Sequence, residues 1–179
     1  MDGPGRWELL FADLEAQLVA HEVAERGDAV AELTRAEHAA IPLADRCRAA
    51  LGAPVTVELA DGERVAGVVR RAAATWVLLD GRGASGQVEH LVPLAAVASV
   101  VGLGRQAVPS TARTDALGLG TVLRRLQRDR ARVVVRTRAG QAVGRLVRIG
   151  ADHLDIDETE AAPRPRVVPF TALLRVSQA

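Results

Sequence analysis

The 179 residues are 49% apolar and 25% charged, with 23 basic side chains, all arginine, against 22 acidic ones and a formal net charge of +1. That is enough apolar chain for the core of one or two small domains, while a single cysteine, Cys47, excludes an internal disulfide and a cysteine-based metal cluster within one chain. No apolar run approaches the roughly 20 residues that cross a bilayer, and the opening MDGPGRWELL lacks the basic stretch and long apolar run of a secretory signal, so the expectation is a soluble cytoplasmic protein with no membrane partner.

The charge is unevenly placed. Residues 1–45 hold ten acids and three arginines, and residues 46–179 hold twelve acids and twenty arginines, so the two parts attract each other or attract different partners. In the acidic part Trp7, Leu10, Phe11, Leu14 and Leu18 recur at three- and four-residue steps between Glu8, Asp13, Glu15 and Gln17. That spacing predicts an amphipathic helix with Trp7 and Phe11 in its packed stripe. Gly27-Asp28 supplies a stop and a new N-cap, and Val30, Leu33 and Ile41 mark a second helix near 28–39. His21 and His38 have no ligand partners nearby in sequence and are assigned solvated or capping roles. The whole segment, 1–41, is expected to form an acidic helical arm able to recruit a protein partner.

Pro42 suits a first helical position, and Leu43, Cys47, Ala50 and Leu51 share one face before Gly52 ends a third helix. From Pro54 the apolar period changes to two: Val55, Val57 and Leu59 alternate with Thr56, Glu58 and Ala60, the pattern of a half-buried strand. Asp61-Gly62 is a tight-turn signal. Glu63 to Arg71 then predicts a long strand bent at Gly67, followed by strands at Trp76–Asp80 and Gln87–Pro93, a one-turn break at Leu94–Ala96, and a fifth strand at Val97–Val101. Five short strands after one helix hide their apolar faces by curling into a small barrel.

The same pattern occurs twice. Laid on Val55–Val101, the segment Val133–Val176 matches Gly62 with Gly140, Gly67 with Gly144, Trp76 with His153, Leu79 with Ile156, Asp80 with Asp157, Pro93 with Pro169 and Val100 with Val176, with one-residue slips. The order of helix, VTVELADGERVAG, a third strand ending WVLLD and a last segment VPLAAVASVV resembles the Sm-like fold, including its bacterial Hfq-type members. The likeness covers Pro42–Val101 and, with fewer matches, Leu117–Val176. The resemblance implies a five-stranded barrel and association of barrels by edge-strand pairing, either within the chain or in a ring. Before the last strand Hfq-type members carry a Tyr-Lys-His run and other members an Arg-Gly pair. Here those places hold Val92-Pro93-Leu94-Ala95 and Val168-Pro169-Phe170-Thr171, so the likeness carries the fold and not a uridine pocket.

Gly81-Arg82-Gly83-Ala84-Ser85-Gly86 spells GxGxxG after a strand. A phosphate-binding loop must open a helix, whereas Gln87–Pro93 reads as a strand, so a plain hairpin loop is expected. His90 is read as a strand residue, outward or partly packed.

Gly102–Asp115, rich in Gly, Pro, Ser and Thr, lacks periodicity and is read as a linker. The partition is therefore an arm at 1–41, a first barrel with its helix at 42–103, a linker at 104–116 and a second barrel with its helix at 117–179. The second module opens with a short helix, Thr121–Arg130, that turns Val122, Leu123 and Leu126 inward; Gly118-Leu119-Gly120-Thr121 ahead of it serves as a flexible entry. Nine arginines and one acid lie between Thr121 and Arg148. Of these Arg124, Arg125, Arg128, Arg132, Arg136, Arg138, Arg145 and Arg148 form the expected nucleic-acid-binding surface, with Arg132, Arg136 and Arg138 outward on the strand whose Val133 and Val135 point in. Guanidinium groups on adjacent elements suit phosphates, although only Trp7, Phe11, Trp76 and Phe170 are aromatic and base-stacking platforms are few. His153, Asp155 and Asp157 alternate along a strand, but their repeat equivalents are Trp76, Leu78 and Asp80, which points to an outward polar face and not to a metal site. Phe170 and Leu173 are placed in the second core.

No nucleophile has a base beside it in sequence, and no carboxylate pair stands out. The expectation is thus a mainly β, α+β protein, not an enzyme and without a cofactor or metal, in which an N-terminal helical arm precedes two tandem five-stranded Sm-like barrels. Its expected partner is nucleic acid, RNA first. The alternative is a structural adaptor that assembles through barrel edges as a homo-oligomer and binds a protein through its acidic arm.

Overall fold

The computed structural model describes residues 39–83, 86–111, 117–158 and 165–178, together with Leu14, Glu15, Gln17, His21 and Glu32. The chain divides into two compact units, Met1–Ile41 and Pro42–Ala179. In the first, Leu14, Glu15, Gln17, His21 and Glu32 are helical. Trp7, Phe11, His38 and the N-cap expected at Asp28 lie outside the described residues, as do Ala84 and Ser85 of the GxGxxG stretch.

The second unit is mainly β. Helix α1 (Leu43–Ala49) precedes strands β1 (Pro54–Leu59), β2 (Arg64–Ala72), β3 (Trp76–Gly83) and β4 (Gly86–Pro93), a 3-10 turn at Leu94–Ala96 and strand β5 (Val97–Val101). Helix α2 (Leu119–Arg128) precedes β6 (Arg132–Thr137), β7 (Gly140–Ile149), β8 (His153–Glu158) and β9 (Arg166–Pro169), a second 3-10 turn at Phe170–Ala172 and β10 (Leu173–Gln178). The alternation of buried and open positions along β1 and β6 follows the valines at 55, 57, 133 and 135, all buried. β2 and β7 bend hard over their neighbours: a Cβ on Gly67 would stand 2.7 Å from the Asp80 carbonyl oxygen, and one on Gly144 would run into the matching Asp157 oxygen. Each bend is followed by a register shift, between Val69 and Arg71 and between Leu146 and Arg148.

All ten strands join in one antiparallel sheet of order β5-β1-β2-β3-β4-β10-β6-β7-β8-β9. Each half has its fifth strand beside its first, and the halves meet where Val176 pairs with Leu91 and Ser177 with His90. Two separately closed barrels were expected, and this is corrected: the sheet is single and open, because β4 takes β10 as its partner.

The reason is visible in the burial. His90, Leu91, Val92 and Pro93 are buried consecutively, and so are the pairs Leu173-Leu174 and Val176-Ser177. A strand covered on both faces loses its alternation. On one face of the junction Val77, Leu79 and Val92 join a core with Val57, Leu59, Val65 and Val69. On the other, Trp76 and Leu91 join Leu123, Val133, Val135, Leu154, Ile156 and Val176. Each half also contributes to the other's core: Leu174 belongs to the first, and Ala73, Trp76 and Leu91 to the second. The Trp76 indole N–H donates to the Leu117 carbonyl at 2.7 Å, which satisfies its polar edge within the interior.

One further expectation changes. Leu51, assigned to the packed helix face, lies past the end of α1 and is 55% exposed. Of the two readings of His90, outward or partly packed, the packed one holds, since it is 8% exposed. The start of the linker is held on α1: the Arg46 guanidinium donates to the Leu103 and Gly104 carbonyls, Arg48 Nε donates to the Val108 carbonyl, and the Val108 N–H donates to the Asp45 carbonyl.

Candidate nucleic-acid interface

Helix α2 buries Leu123 completely and packs Val122 and Leu126 on the second core, which leaves Arg124, Arg125 and Arg128 exposed. The Gln127 amide donates to the Val147 carbonyl at 2.7 Å and seats the helix on β7. The chain then turns at Arg130, with φ of 50°, a left-handed conformation that non-glycine residues adopt uncommonly. Arg132 therefore opens β6 only four residues after the helix ends. Along β6 the inward Val133 and Val135 place Arg132 on the opposite face, where it is exposed; Arg138 lies in the turn to β7, and Arg145 and Arg148 are exposed along β7.

Arg132 and Arg145 are direct cross-strand partners. Like charges placed opposite each other repel unless an anion lies between them. The next strand carries Asp157 opposite Arg145 and Asp155 opposite Arg148 in register, so the basic surface has a carboxylate border on β8. Among the described residues, none of Arg124, Arg125, Arg128, Arg132, Arg138, Arg145 and Arg148 forms an ion pair.

Arg136 is different. It is half-buried, with Nε 3.0 Å from Asp61 Oδ2 and 3.4 Å from Glu63 Oε2, while Arg175 Nη1 stands 2.7 Å from Glu63 Oε1. The β1–β2 turn of the first half thus ties down two arginines of the second. A backbone N–H from Glu63 and then the Arg136 guanidinium hold the Asp61 carboxyl below its usual range. Sequence reasoning grouped Arg136 with the solvent-facing arginines because its acids lie more than seventy residues away. It also passed over Arg70 and Arg82, which border an open trough of about 1470 Å³ that runs from the first half to β6 and β10 of the second; Arg70 Nε lies 2.9 Å from Asp80.

At the junction His90 Nδ1 and Ser177 Oγ are 3.0 Å apart. Burial, with the Arg175 charge second, pushes the His90 imidazole below its ordinary value. The unfolded chain therefore binds a proton that the folded one resists: the contribution of His90 is intact above the unfolded value of about 6.5 and declines as pH falls below it. Stability measured by urea titration across that window should fall less steeply in His90→Gln than in the native protein.

Cys47 is enclosed in the first core, and burial pushes its thiol up, which leaves it a packing group and not a nucleophile. His153 is half-buried, with Nδ1 2.8 Å from Asp152 Oδ1, opposite the fully buried Leu154 and Ile156. Among the described residues no three His, Cys, Asp or Glu side chains are grouped to hold a metal ion. Gly86–Pro93 is a strand, so no helix follows the GxGxxG stretch. The chain matches no protein-family model and no curated protein.

Proposed function

We propose that this is a non-catalytic protein that binds nucleic acid, RNA first, on the surface formed by α2, β6 and β7. The observation that carries this reading is the cross-strand pair of Arg132 and Arg145, beside the exposed arginines of α2. A phosphate between the two guanidinium groups relieves their repulsion and is bound by both. Each half in this reading is an opened Sm-like barrel, supported by its leading helix and its strand order. Affinity in this reading comes mainly from phosphates, since among the described residues Trp76 is buried and Phe170 is partly buried against the second core.

The test is retention of a single-stranded RNA at low salt. The native protein should bind with a log K against log salt slope near −3, as for about four phosphates. The combined variant Arg124→Glu, Arg128→Glu, Arg132→Glu and Arg145→Glu should lose retention with unchanged circular dichroism. Arg136 is left out of that set because its carboxylate partners give it a structural task. Unchanged retention in the fourfold variant overturns the reading.

A second reading, assembly through sheet edges with a protein partner, is favoured by the two outer strands. Val101 on β5 is 69% exposed and Val167 on β9 is 59% exposed. Unpaired strand edges bearing exposed aliphatic side chains invite strand addition.

A further inference from the structure

The two halves of the sheet differ at one seat. In the first half Leu174 of β10 is buried in the cluster that contains Leu59, Val65, Val92 and Ala96. The repeat, with the strand registers Val57–Val65 and Val135–Ala142 and the shared Pro93 and Pro169, sets these four positions on Thr137, Ala142, Val168 and Ala172. Those residues line an open, mainly apolar pocket of about 470 Å³. What a leucine from a neighbouring strand fills in the first half is therefore open in the second among the described residues, next to the outer strand β9.

The charge beside the seat is reversed. Arg175, next to Leu174, is held by Glu63 from the β1–β2 turn. The corresponding turn runs Thr137-Arg138-Ala139-Gly140-Gln141 without a carboxylate. Arg138 and Arg166 both line the pocket, but Arg166 Nε is already paired with Glu158 Oε1 at 2.6 Å, which leaves Arg138 as the cation that an incoming acid would meet. A second copy of this chain is a poor occupant: on the repeat its β5 sets Ala98 and Ser99 where β10 has Leu174 and Arg175. Ala98 leaves the pocket largely unfilled, and Ser99 brings no charge to Arg138.

We propose that the outer edge of β9 and this pocket dock an extended strand of a different protein, one in which a large aliphatic side chain is followed by a carboxylate. The inference rests on the edge-assembly reading and names its partner. Main-chain hydrogen bonds to β9 supply affinity, the pocket selects the aliphatic group, and Arg138 selects the acid.

The probes are two labelled synthetic peptides of the 172–178 sequence, one native and one carrying Arg175→Glu, titrated into the full-length protein. The Arg175→Glu peptide should bind about tenfold or more tightly than the native one, and Arg138→Glu, a change in an exposed turn, should reverse that order. Equal binding of the two peptides, or none by either up to about 1 mM, overturns the proposal. Light scattering separates the remaining outcomes. A concentration-dependent dimer that Val167→Lys dissociates makes a second copy the occupant, which removes the proposal and keeps the edge reading. A monomer at all concentrations that binds neither peptide removes both.

Discussion

Trp76→Ala should destabilise the Pro42–Ala179 unit by about 3–5 kcal/mol, the range for emptying an aromatic site in a closed core. Trp76 is 1% exposed and stands in the first half by sequence, yet it packs in the second core with Leu91, Leu123 and Val133. Its removal leaves a cavity at the junction and deprives the Leu117 carbonyl of its indole donor. Trp76→Phe keeps most of the ring and loses the hydrogen bond, so its cost should be nearer 1 kcal/mol. Urea denaturation, with the slope checked for equality between variants, reads both. A cost below about 1 kcal/mol for Trp76→Ala would contradict the shared core, because a side chain on the surface of an independent first module would be lost that cheaply.

Leu174→Ala should cost about 2–5 kcal/mol, and the informative part is where the damage appears. Leu174 belongs to the last strand of the chain but to the first core, with Val57, Leu59, Val69 and Val92. Amide exchange should therefore accelerate in β1 and β2 as well as in β10. If the two halves folded as separate barrels, the loss of protection would stay within β6 to β10. The ion pairs of Arg136 and Arg175 with the Asp61 and Glu63 turn cross the same joint. These pairs are partly exposed and screened by solvent, so the aliphatic seat contributes more to the joint than the charge network does.

The strands were legible in advance because their cause is local. Period-two valines at 55, 57, 133 and 135, the Asp61-Gly62 turn and the bends at Gly67 and Gly144 each act within a few residues, and the strands lie within a few residues of where that spacing sets them. The exposed arginines of α2 and Arg132 of β6 followed from the same phase rule, since Leu123, Val133 and Val135 can face only one way. The joint between halves left a fainter mark, in runs rather than alternation: His90-Leu91-Val92-Pro93 and Leu173-Leu174 are signs of strands covered on both sides. Arg136 could not have been told from Arg132 along the chain, because both sit outward on β6 and only one meets the Asp61 turn.

By itself the sequence determined the elements, their duplication and the concentration of arginine in the later copy, since hydrophobic period, turn chemistry and charge are properties of short stretches. Tertiary structure alone decided that β4 pairs with β10, that the cores lie on opposite faces of one sheet and exchange Trp76 and Leu174, and that a filled seat in one half is open in the other. Those outcomes depend on which distant strand edge offers the matching hydrogen bonds and apolar surface, and that competition is settled only when the whole chain has folded.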